Sequence, residues 1–311
     1  MVRHLRICLC AHAYLNYDVT REYVLYSAWA SRCRFNTKGN AKASTSETAI
    51  VQVSRFFLCP KEQLQRAYTM IPKIIHYCWF GGNTIPNDII SYMQTWKEMM
   101  PDWNIKEWNE SNFDISQSPR YVQEAYHAKK FAFVSDYVRL WALEQYGGVY
   151  FDTDIEVLKP FDSLLHNKSF IGLEESLAHL PGTCVMGCEA HCNWIKDMLA
   201  LYNEISFLKA DGTWDLTTNV QRMGKKLIEQ GFVPCRDEQY LSHYELKVYT
   251  HDYFSPITST RVMRKTKNTY CVHHFAGSWT NKKRYKIQNT LIYRELINAL
   301  IQIKRWLKGI K

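Results

Sequence analysis

Two aspartates lie two positions apart directly after an apolar segment. Asp152 and Asp154 end the sequence GGVYFDTD, residues 147–154. If the chain is extended here, its side chains alternate between two faces, so both carboxylates point one way and Thr153 points the other. Two carboxylates at one edge of a sheet suit a hard divalent cation and leave coordination positions for phosphate oxygens and water. A metal held there would assist the departure of a nucleoside diphosphate by neutralising its developing charge.

The acidic pair also permits two other interpretations. The first is that it merely ends a strand in solvent, because two aspartates at this spacing are common. The second is a phosphatase of the haloacid dehalogenase type, which also carries such a pair after an apolar strand. Those enzymes usually have Thr or Val two residues after the second aspartate, where this chain has Glu156. Glu156 counts against the phosphatase, and the solvent-exposed strand end stays open at this point.

A second group of candidate residues lies near the end of the chain, in the sequence HHFAGSW, residues 273–279. An imidazole from His273 or His274 can supply a third metal ligand, and Ser278 and Trp279 can hydrogen-bond a diphosphate. A histidine that is hydrogen-bonded in the core is the alternative interpretation.

Strand-like and helix-like patterns alternate from residue 71 onward and would position these groups. Residues 73–80 are rich in β-branched and aromatic residues and end at two glycines, which predicts a first strand with a ligand-binding loop at its carboxyl end. Apolar residues at helical spacing predict a helix over 131–146, which two further glycines end. Residues 149–151 are then a short buried strand. The alternation predicts an α/β fold with a mixed, mostly parallel sheet.

Similar signals predict the remaining elements. They are a helix over 86–99, a strand over 104–108, extended chain over 155–158 and 269–272, and helices over 193–205 and 218–230.

The composition is that of a globular protein. The chain has 311 residues, of which 46% are hydrophobic and 22% charged. Its net charge of +9 is uneven, because residues 1–69 hold 10 Lys and Arg against 4 Asp and Glu. The rest of the chain is close to neutral and lacks the basic footprint of a protein that binds nucleic acid.

Residues 1–69 are predicted to be a non-catalytic N-terminal extension, followed by one domain over 70–311. They keep no sustained hydrophobic period that would bury one face. Met70 stands immediately before the first predicted strand, so the extension could be an upstream mis-start. A genuine helical or membrane-contacting extension is the alternative.

The sequence predicts a cytoplasmic protein. The apolar run over residues 7–10 is too short for the core of a signal peptide, and ten cysteines in a long chain without an export signal are predicted to be reduced. Residues 290–311 carry an apolar helical stripe with basic residues beside it. Such a helix either packs on the domain or lies at the inner face of a membrane.

Several motifs occur here in the order typical of one family. The segments IPKIIHYCWFGG, WKEMMPDWNIKEWNESNFD and FAFVSDYVRLWALEQYGGVYFDTDIEVLKPFD closely resemble glycosyltransferase family 32. This family includes capsular-polysaccharide sugar transferases and yeast initiating mannosyltransferases, and it shares motifs with the glucosylating domains of large clostridial toxins. The resemblance covers residues 71–162 and reappears at HHFAGSW.

The resemblance implies a GT-A (Rossmann-like) fold that uses Mn²⁺ or Mg²⁺ and retains the anomeric configuration. The expected reaction moves a hexose from a nucleotide diphosphate sugar to a saccharide or lipid-linked saccharide, in surface or capsular polysaccharide synthesis. UDP-galactose, UDP-glucose and GDP-mannose all fit the family as donors. A non-catalytic module that binds sugar nucleotides is the alternative.

The resemblance also assigns roles to individual residues. Trp79 matches the aromatic residue that stacks on the nucleotide base, and Asp136 and Arg139 match residues that contact the ribose and sugar of the donor. Tyr150 is expected to contact the donor as well. Trp79 could instead be a core residue, and Asp136 and Arg139 could form a simple ion pair along a helix.

The metal site implied by the resemblance consists of Asp152, Asp154 and His274, with the two aspartates as the catalytic pair. His274 is favoured over His273 by the alignment with the family alone. Ser278 and Trp279 match a C-terminal loop that closes over the donor.

Overall fold

The central element is a seven-stranded sheet with the strand order β2-β1-β3-β6-β5-β8-β7. The computed structural model describes residues 70–174, 179–257 and 262–276. Within them, a separate antiparallel pair joins β4 to β9. The strands are β1 (Ile74–Cys78), β2 (Asn104–Trp108), β3 (Gly148–Phe151), β4 (Ile155–Val157), β5 (Ser169–Leu173), β6 (Pro181–Cys188), β7 (Gln239–Leu241), β8 (Leu246–Tyr249) and β9 (Cys271–His273).

Local sequence signals explain where the helices begin and end. A capping box between Thr218 and Gln221 starts one helix, because each side chain satisfies a backbone N–H of the other residue. Gly147, with φ +62°, ends the helix before β3, where glycine avoids the strain of that conformation. The helices are α1 (Asn87–Met99), α2 (Arg120–His127), α3 (Phe131–Tyr146), α4 (Asn193–Asn203), α5 (Asn219–Glu229) and α6 (His251–Phe254).

The predicted α/β class with a mixed sheet is confirmed. The strand β1 pairs in parallel with β2 and β3, and β5 pairs in parallel with β8. The pairs β3 with β6, β5 with β6 and β7 with β8 are antiparallel, so the sheet is less parallel than the sequence pattern predicts. One physical reason is the link between β5 and β6, which consists only of residues 174–180. A parallel crossover needs about a dozen residues or more, so these two strands pair antiparallel.

Two hydrophobic clusters pack on opposite faces of the sheet. Side chains alternate along β3, so Tyr150 joins one cluster while Val149 and Phe151 join the other. The helix α3 packs in the cluster of Tyr150, and Trp96 of α1 packs in the cluster of Phe151. The end of β3 therefore emerges between a helix on one face and another helix on the opposite face.

The predicted bounds of α3 and β2 coincide with the observed ones. By contrast, α2 and the strands β5 to β8 were not predicted. Residues 1–69 and 277–311 lie outside the described residues, so the N-terminal extension and the C-terminal amphipathic helix stay predictions. Among the described helices, none combines the length and hydropathy needed to cross a bilayer.

We expect Trp96→Phe to lower the free energy of unfolding by about 1–3 kcal/mol, because it removes a buried hydrogen bond and leaves a void. The side chain of Trp96 is completely buried, and its Nε1 donates to the carbonyl of Ile155 at 2.7 Å. This bond fastens α1 to β4 beside the acidic pair. Urea denaturation measures the change. Ile90→Ala, at a half-exposed position of the same helix, is the control and should change stability by less than about 0.5 kcal/mol. Equal effects of the two substitutions would contradict the role of Trp96.

Candidate active site

The acidic pair lies in a tight turn that follows β3. The backbone N–H of Asp152 donates to the carbonyl of Cys184 on β6 at 2.9 Å, and the N–H of Ile155 closes the turn onto the carbonyl of Asp152 at 3.1 Å. The prediction of extended chain at the acidic pair is therefore wrong, although the carboxylates of Asp152 and Asp154 still lie within 4.8 Å of each other. Asp154 is buried and Asp152 is partly exposed.

A buried arginine from α3 organises the side of the site that holds Asp152. Arg139 Nη1 lies 3.2 Å from Asp152 Oδ1, and Nη2 lies 3.1 Å from Asp136 Oδ1. Nη1 also donates to the carbonyl and to the hydroxyl of Thr183, at 2.8 and 3.1 Å. The guanidinium lies 4.6 Å above the centre of the Tyr150 ring. These contacts hold the arginine, and through it Asp152, in one orientation.

For Asp136 and Arg139, burial and the neighbouring charges shift the pKa in opposite directions. Burial raises the pKa of Asp136 to about 6, although the positive charge of Arg139 opposes the shift. For Arg139, burial by itself lowers the pKa, but the neighbouring acidic groups, of which Asp152 contributes most, together outweigh it and the pKa lies above its usual value. Burial also raises the pKa of Tyr150, whose hydroxyl donates to Asp152 Oδ1 at 3.0 Å. Asp152 therefore receives a hydrogen bond from Tyr150 and an ion pair from Arg139 on the same oxygen.

The side of the site that holds Asp154 is built by the pairing of β4 with β9. In this pairing Ile155 lies opposite His273, so the end of the described chain returns beside the acidic turn. The N–H of Ala276 donates to Asp154 Oδ2 at 2.6 Å, and the N–H of His274 donates to the Asp154 carbonyl at 3.1 Å. Two backbone amides from more than a hundred residues further along the chain are thus bonded to Asp154.

The structure brings His273, and not the expected His274, to the acidic pair. His273 Nε2 lies 3.5 Å from Asp154 Oδ1. His274 Nε2 instead lies 2.8 Å from Glu156 Oε2, and its ring stacks on Tyr92 with 4.1 Å between ring centres. Successive side chains of an extended segment point to opposite sides, so only one of two adjacent histidines can face the pair.

The three side chains fit a divalent metal ion. The ligand atoms of Asp152, Asp154 and His273 all lie within 4.8 Å of one another, and two carboxylates with one imidazole are a donor set that Mn²⁺ accepts. The potential ligand atoms of a second group also lie within 4.8 Å of one another, and this group consists of Glu174, Cys184 and His273. Sequence reasoning did not find Glu174, because it follows β5, a strand that has no alternating pattern and is buried along its whole length.

Trp79 lies at the carboxyl end of β1. It is partly buried, its Nε1 donates to the carbonyl of Asn83 at 2.6 Å, and it packs against the cluster of Phe151. The strands β1 and β3 are adjacent and parallel, so Trp79 and Asp152 leave the same edge of the sheet. Ser278 and Trp279 lie outside the described residues.

Comparison with known proteins identifies the segment around this edge. Residues 86–171 match a family described as "Glycosyltransferase sugar-binding region containing DXD motif". This segment is similar to the DXD glycosyltransferases. It begins at the residue before α1 and ends within β5, and Asp152 and Asp154 are its DXD motif. The match confirms the resemblance seen in the sequence.

Several fungal mannosyltransferases are similar to parts of this chain. "Inositol phosphoceramide mannosyltransferase 3" of Schizosaccharomyces pombe is 29% identical over 108 residues, which cover 32% of this chain and 29% of that protein. "Initiation-specific alpha-1,6-mannosyltransferase" of Candida albicans is 25% identical over 182 residues, which cover 56% of this chain and 45% of that protein. The chain therefore spans less than half the length of each of these relatives.

Solved glycosyltransferase structures are similar over part of the chain. The "PaToxG Glycosyltransferase" aligns with a TM-score of 0.43 and 20% identity, covering 52% of this chain and 70% of that one. The UDP-bound glycosyltransferase domain of the YGT toxin aligns with a TM-score of 0.29 and 11% identity, covering 43% and 62%. The α/β class of the present chain rests on its own sheet topology.

We expect Arg139→Met to lower the free energy of unfolding by about 3–5 kcal/mol, because Asp136 and Asp152 lose the charge that compensates them. The side chain of Arg139 is only 7% exposed. Denaturant unfolding gives the change. Arg120→Met provides the control, because Arg120 is 73% exposed in its pair with Glu124, and such surface pairs contribute about 0–1 kcal/mol. A loss at position 139 no larger than at position 120 would show that the buried arginine does not stabilise the site.

Proposed function

We propose that the chain is a metal-dependent glycosyltransferase that moves a hexose from a nucleoside diphosphate sugar to a saccharide acceptor. One observation carries the proposal. The ligand atoms of Asp152, Asp154 and His273 converge within 4.8 Å at the carboxyl edge of β1 and β3, and the two aspartates are the DXD motif of the matched family.

In the proposed site the metal is held by Asp152, Asp154 and His273. A bound Mn²⁺ or Mg²⁺ supplies a positive charge that neutralises the departing diphosphate. The protein contributes the orientation of the ligands. Tyr150 and Arg139 hold Asp152, and the amide of Ala276 holds Asp154.

The proposed donor site surrounds this metal site. Trp79 stacks on the nucleotide base from the loop after β1. Asp136, Arg139 and Tyr150 belong to the site because they contact Asp152 or one another. Ser278 and Trp279 follow His273 closely in the chain, and they complete the proposed set by hydrogen-bonding the diphosphate.

The relatives support a specific choice of sugar. The fungal proteins similar to this chain include three named as mannosyltransferases, which favours GDP-mannose as the donor over UDP-glucose or UDP-galactose. Two of them carry a lipid in their names, which supports a lipid-linked saccharide as one form of the acceptor. The resemblance to family 32 adds retention of the anomeric configuration, a GT-A fold and a role in surface or capsular polysaccharide synthesis to the proposal.

The proposal is tested by sugar transfer from these three donors to saccharide acceptors with and without Mn²⁺. We expect metal-dependent transfer, and a loss of at least about a hundredfold in Asp154→Asn, because the amide keeps the size of the side chain but loses its charge. Asp102→Asn is the control, because Asp102 is 61% exposed and pairs with Lys73 on the surface.

Three results would contradict this function. Wild-type rates in Asp154→Asn at limiting Mn²⁺ would show that the acidic pair is not the metal site. Donor binding without transfer to any acceptor would indicate a non-catalytic module that binds sugar nucleotides. Release of phosphate from simple phosphomonoesters would indicate a phosphatase.

We expect Trp79→Ala to weaken the binding of the free nucleoside diphosphate by about 1–3 kcal/mol, the range for the loss of one stack between a base and an aromatic ring. Isothermal titration calorimetry measures the affinity. Trp214→Ala is the control, because Trp214 is 42% exposed but stacks on Phe207 in the other hydrophobic cluster. An unchanged affinity in Trp79→Ala would mean that this residue serves the core alone.

A further inference from the structure

The two ring nitrogens of His273 face two different carboxylates. Nε2 lies 3.5 Å from Asp154 Oδ1, and Nδ1 lies 3.9 Å from Glu174 Oε1. His273 is only 8% exposed, and its Nδ1 is a buried atom without a hydrogen-bond partner among the described residues. A buried polar atom of this kind costs free energy unless something satisfies it. The ring therefore points one nitrogen at the DXD motif and leaves the other directed at Glu174.

Glu174 occupies a position that the fold makes room for. It follows β5 directly, and its backbone N–H donates to the carbonyl of Leu180 at 3.2 Å. Gly182 of β6 lies against its side chain, and a Cβ at that glycine would come within 2.4 Å of Glu174 Cγ and 2.5 Å of Oε1. Burying a carboxylate costs free energy that a partner must offset. His273 is a partner of suitable chemistry on the side that faces the site.

A histidine that binds a metal through one nitrogen usually donates its other N–H to a carboxylate, which sets the tautomer and the orientation of the ring. In His273 the nitrogen that faces Asp154 is Nε2, so the proton belongs on Nδ1, toward Glu174. We propose that Glu174 is a positioning residue, which accepts this N–H and aims Nε2 of His273 at the metal site. This inference rests on the function proposed above, and it adds a residue to which the sequence assigned no role.

The distance of 3.9 Å is longer than a hydrogen bond, so the proposal includes a movement of about 1 Å of the Glu174 carboxylate toward His273. The carboxylate lies at the end of a side chain with three rotatable bonds, and such a side chain makes this movement without a change in the backbone. Gly182 leaves room for the carboxylate on its other side, because a Cβ at this position would come within 2.5 Å of Glu174 Oε1.

The neighbouring histidine supplies an internal control. His274 forms its own pair with Glu156, at 2.8 Å, so two adjacent histidines each face a glutamate. If His273 is the ligand, Glu174 affects metal binding and Glu156 does not. If His274 is the ligand, the effects of the two glutamates are reversed.

The test measures Mn²⁺ affinity in the full chain with a nucleoside diphosphate present, by electron paramagnetic resonance of free Mn²⁺. We expect Glu174→Ala to weaken Mn²⁺ binding by about 10–100-fold, and Glu174→Gln to weaken it less, because the amide oxygen still accepts the N–H. In a His273→Ala background, Glu174→Ala should cause no further loss, because the two residues act as one unit. Glu156→Gln should bind Mn²⁺ like the wild type.

Specific results would overturn the proposal. Unchanged Mn²⁺ affinity in both Glu174 variants would remove the positioning role. An equal loss from Glu174→Ala with and without His273 would make Glu174 a direct ligand instead. If the alanine variant does not fold, Glu174→Gln carries the test, and a melting temperature measured for each variant separates folding from binding.

A second measurement separates this inference from the function on which it rests. The imidazole ¹⁵N shifts of His273 report which nitrogen carries the proton, and no metal is needed to record them. We expect the Nδ1–H tautomer in the wild type and its loss in Glu174→Ala. That tautomer without Mn²⁺ binding would overturn the metal site alone, whereas Mn²⁺ binding with the Nε2–H tautomer would overturn the role of Glu174.

Discussion

The buried guanidinium of Arg139 is the interaction on which the site depends. A charge removed from water must be paired and hydrogen-bonded, or it destabilises the fold by several kcal/mol. Arg139 meets this requirement through Asp136 on its own helix, Thr183 on β6 and Asp152 after β3. Because the partners come from three elements, the arginine can be satisfied only when helix and sheet are packed in this arrangement. The need of Arg139 for a paired carboxylate thereby fixes the position of Asp152.

The second aspartate depends on a different constraint, the pairing of two very short strands. The strands β4 and β9 form a sheet of their own, and the residues directly after β9 supply two backbone amides to Asp154. Hydrogen bonds between backbone groups hold the chain near residue 273 beside the acidic turn, and the Nε1 of Trp96 donates to the carbonyl of Ile155 in β4. The two aspartates of the motif are thus held by independent means, one by a buried charge and one by strand pairing.

The two separate ways of holding Asp152 and Asp154 matter for metal binding. A metal site needs several donors held at fixed distances, and second-layer contacts that fix them are as necessary as the donors. On one side these contacts come from Arg139 and Tyr150, and on the other from Ala276 and the proposed contact of Glu174 with His273. The residues of the matched family segment, 86–171, therefore form only part of the candidate site. His273 and Ala276 lie beyond that segment.

The sequence by itself determined the α/β class, the bounds of α3 and β2, and the place of the acidic pair directly after an apolar strand. These follow from local signals, namely helical spacing, glycines at the ends of elements and an apolar strand before charged residues. The choice between the two histidines required the tertiary structure. Adjacent strand residues face opposite sides, and the register that sets Ile155 opposite His273 joins residues more than a hundred positions apart. Glu174 and Thr183 also escaped sequence analysis, because β5 and β6 are buried throughout and show no alternation that would reveal which side chains face the site.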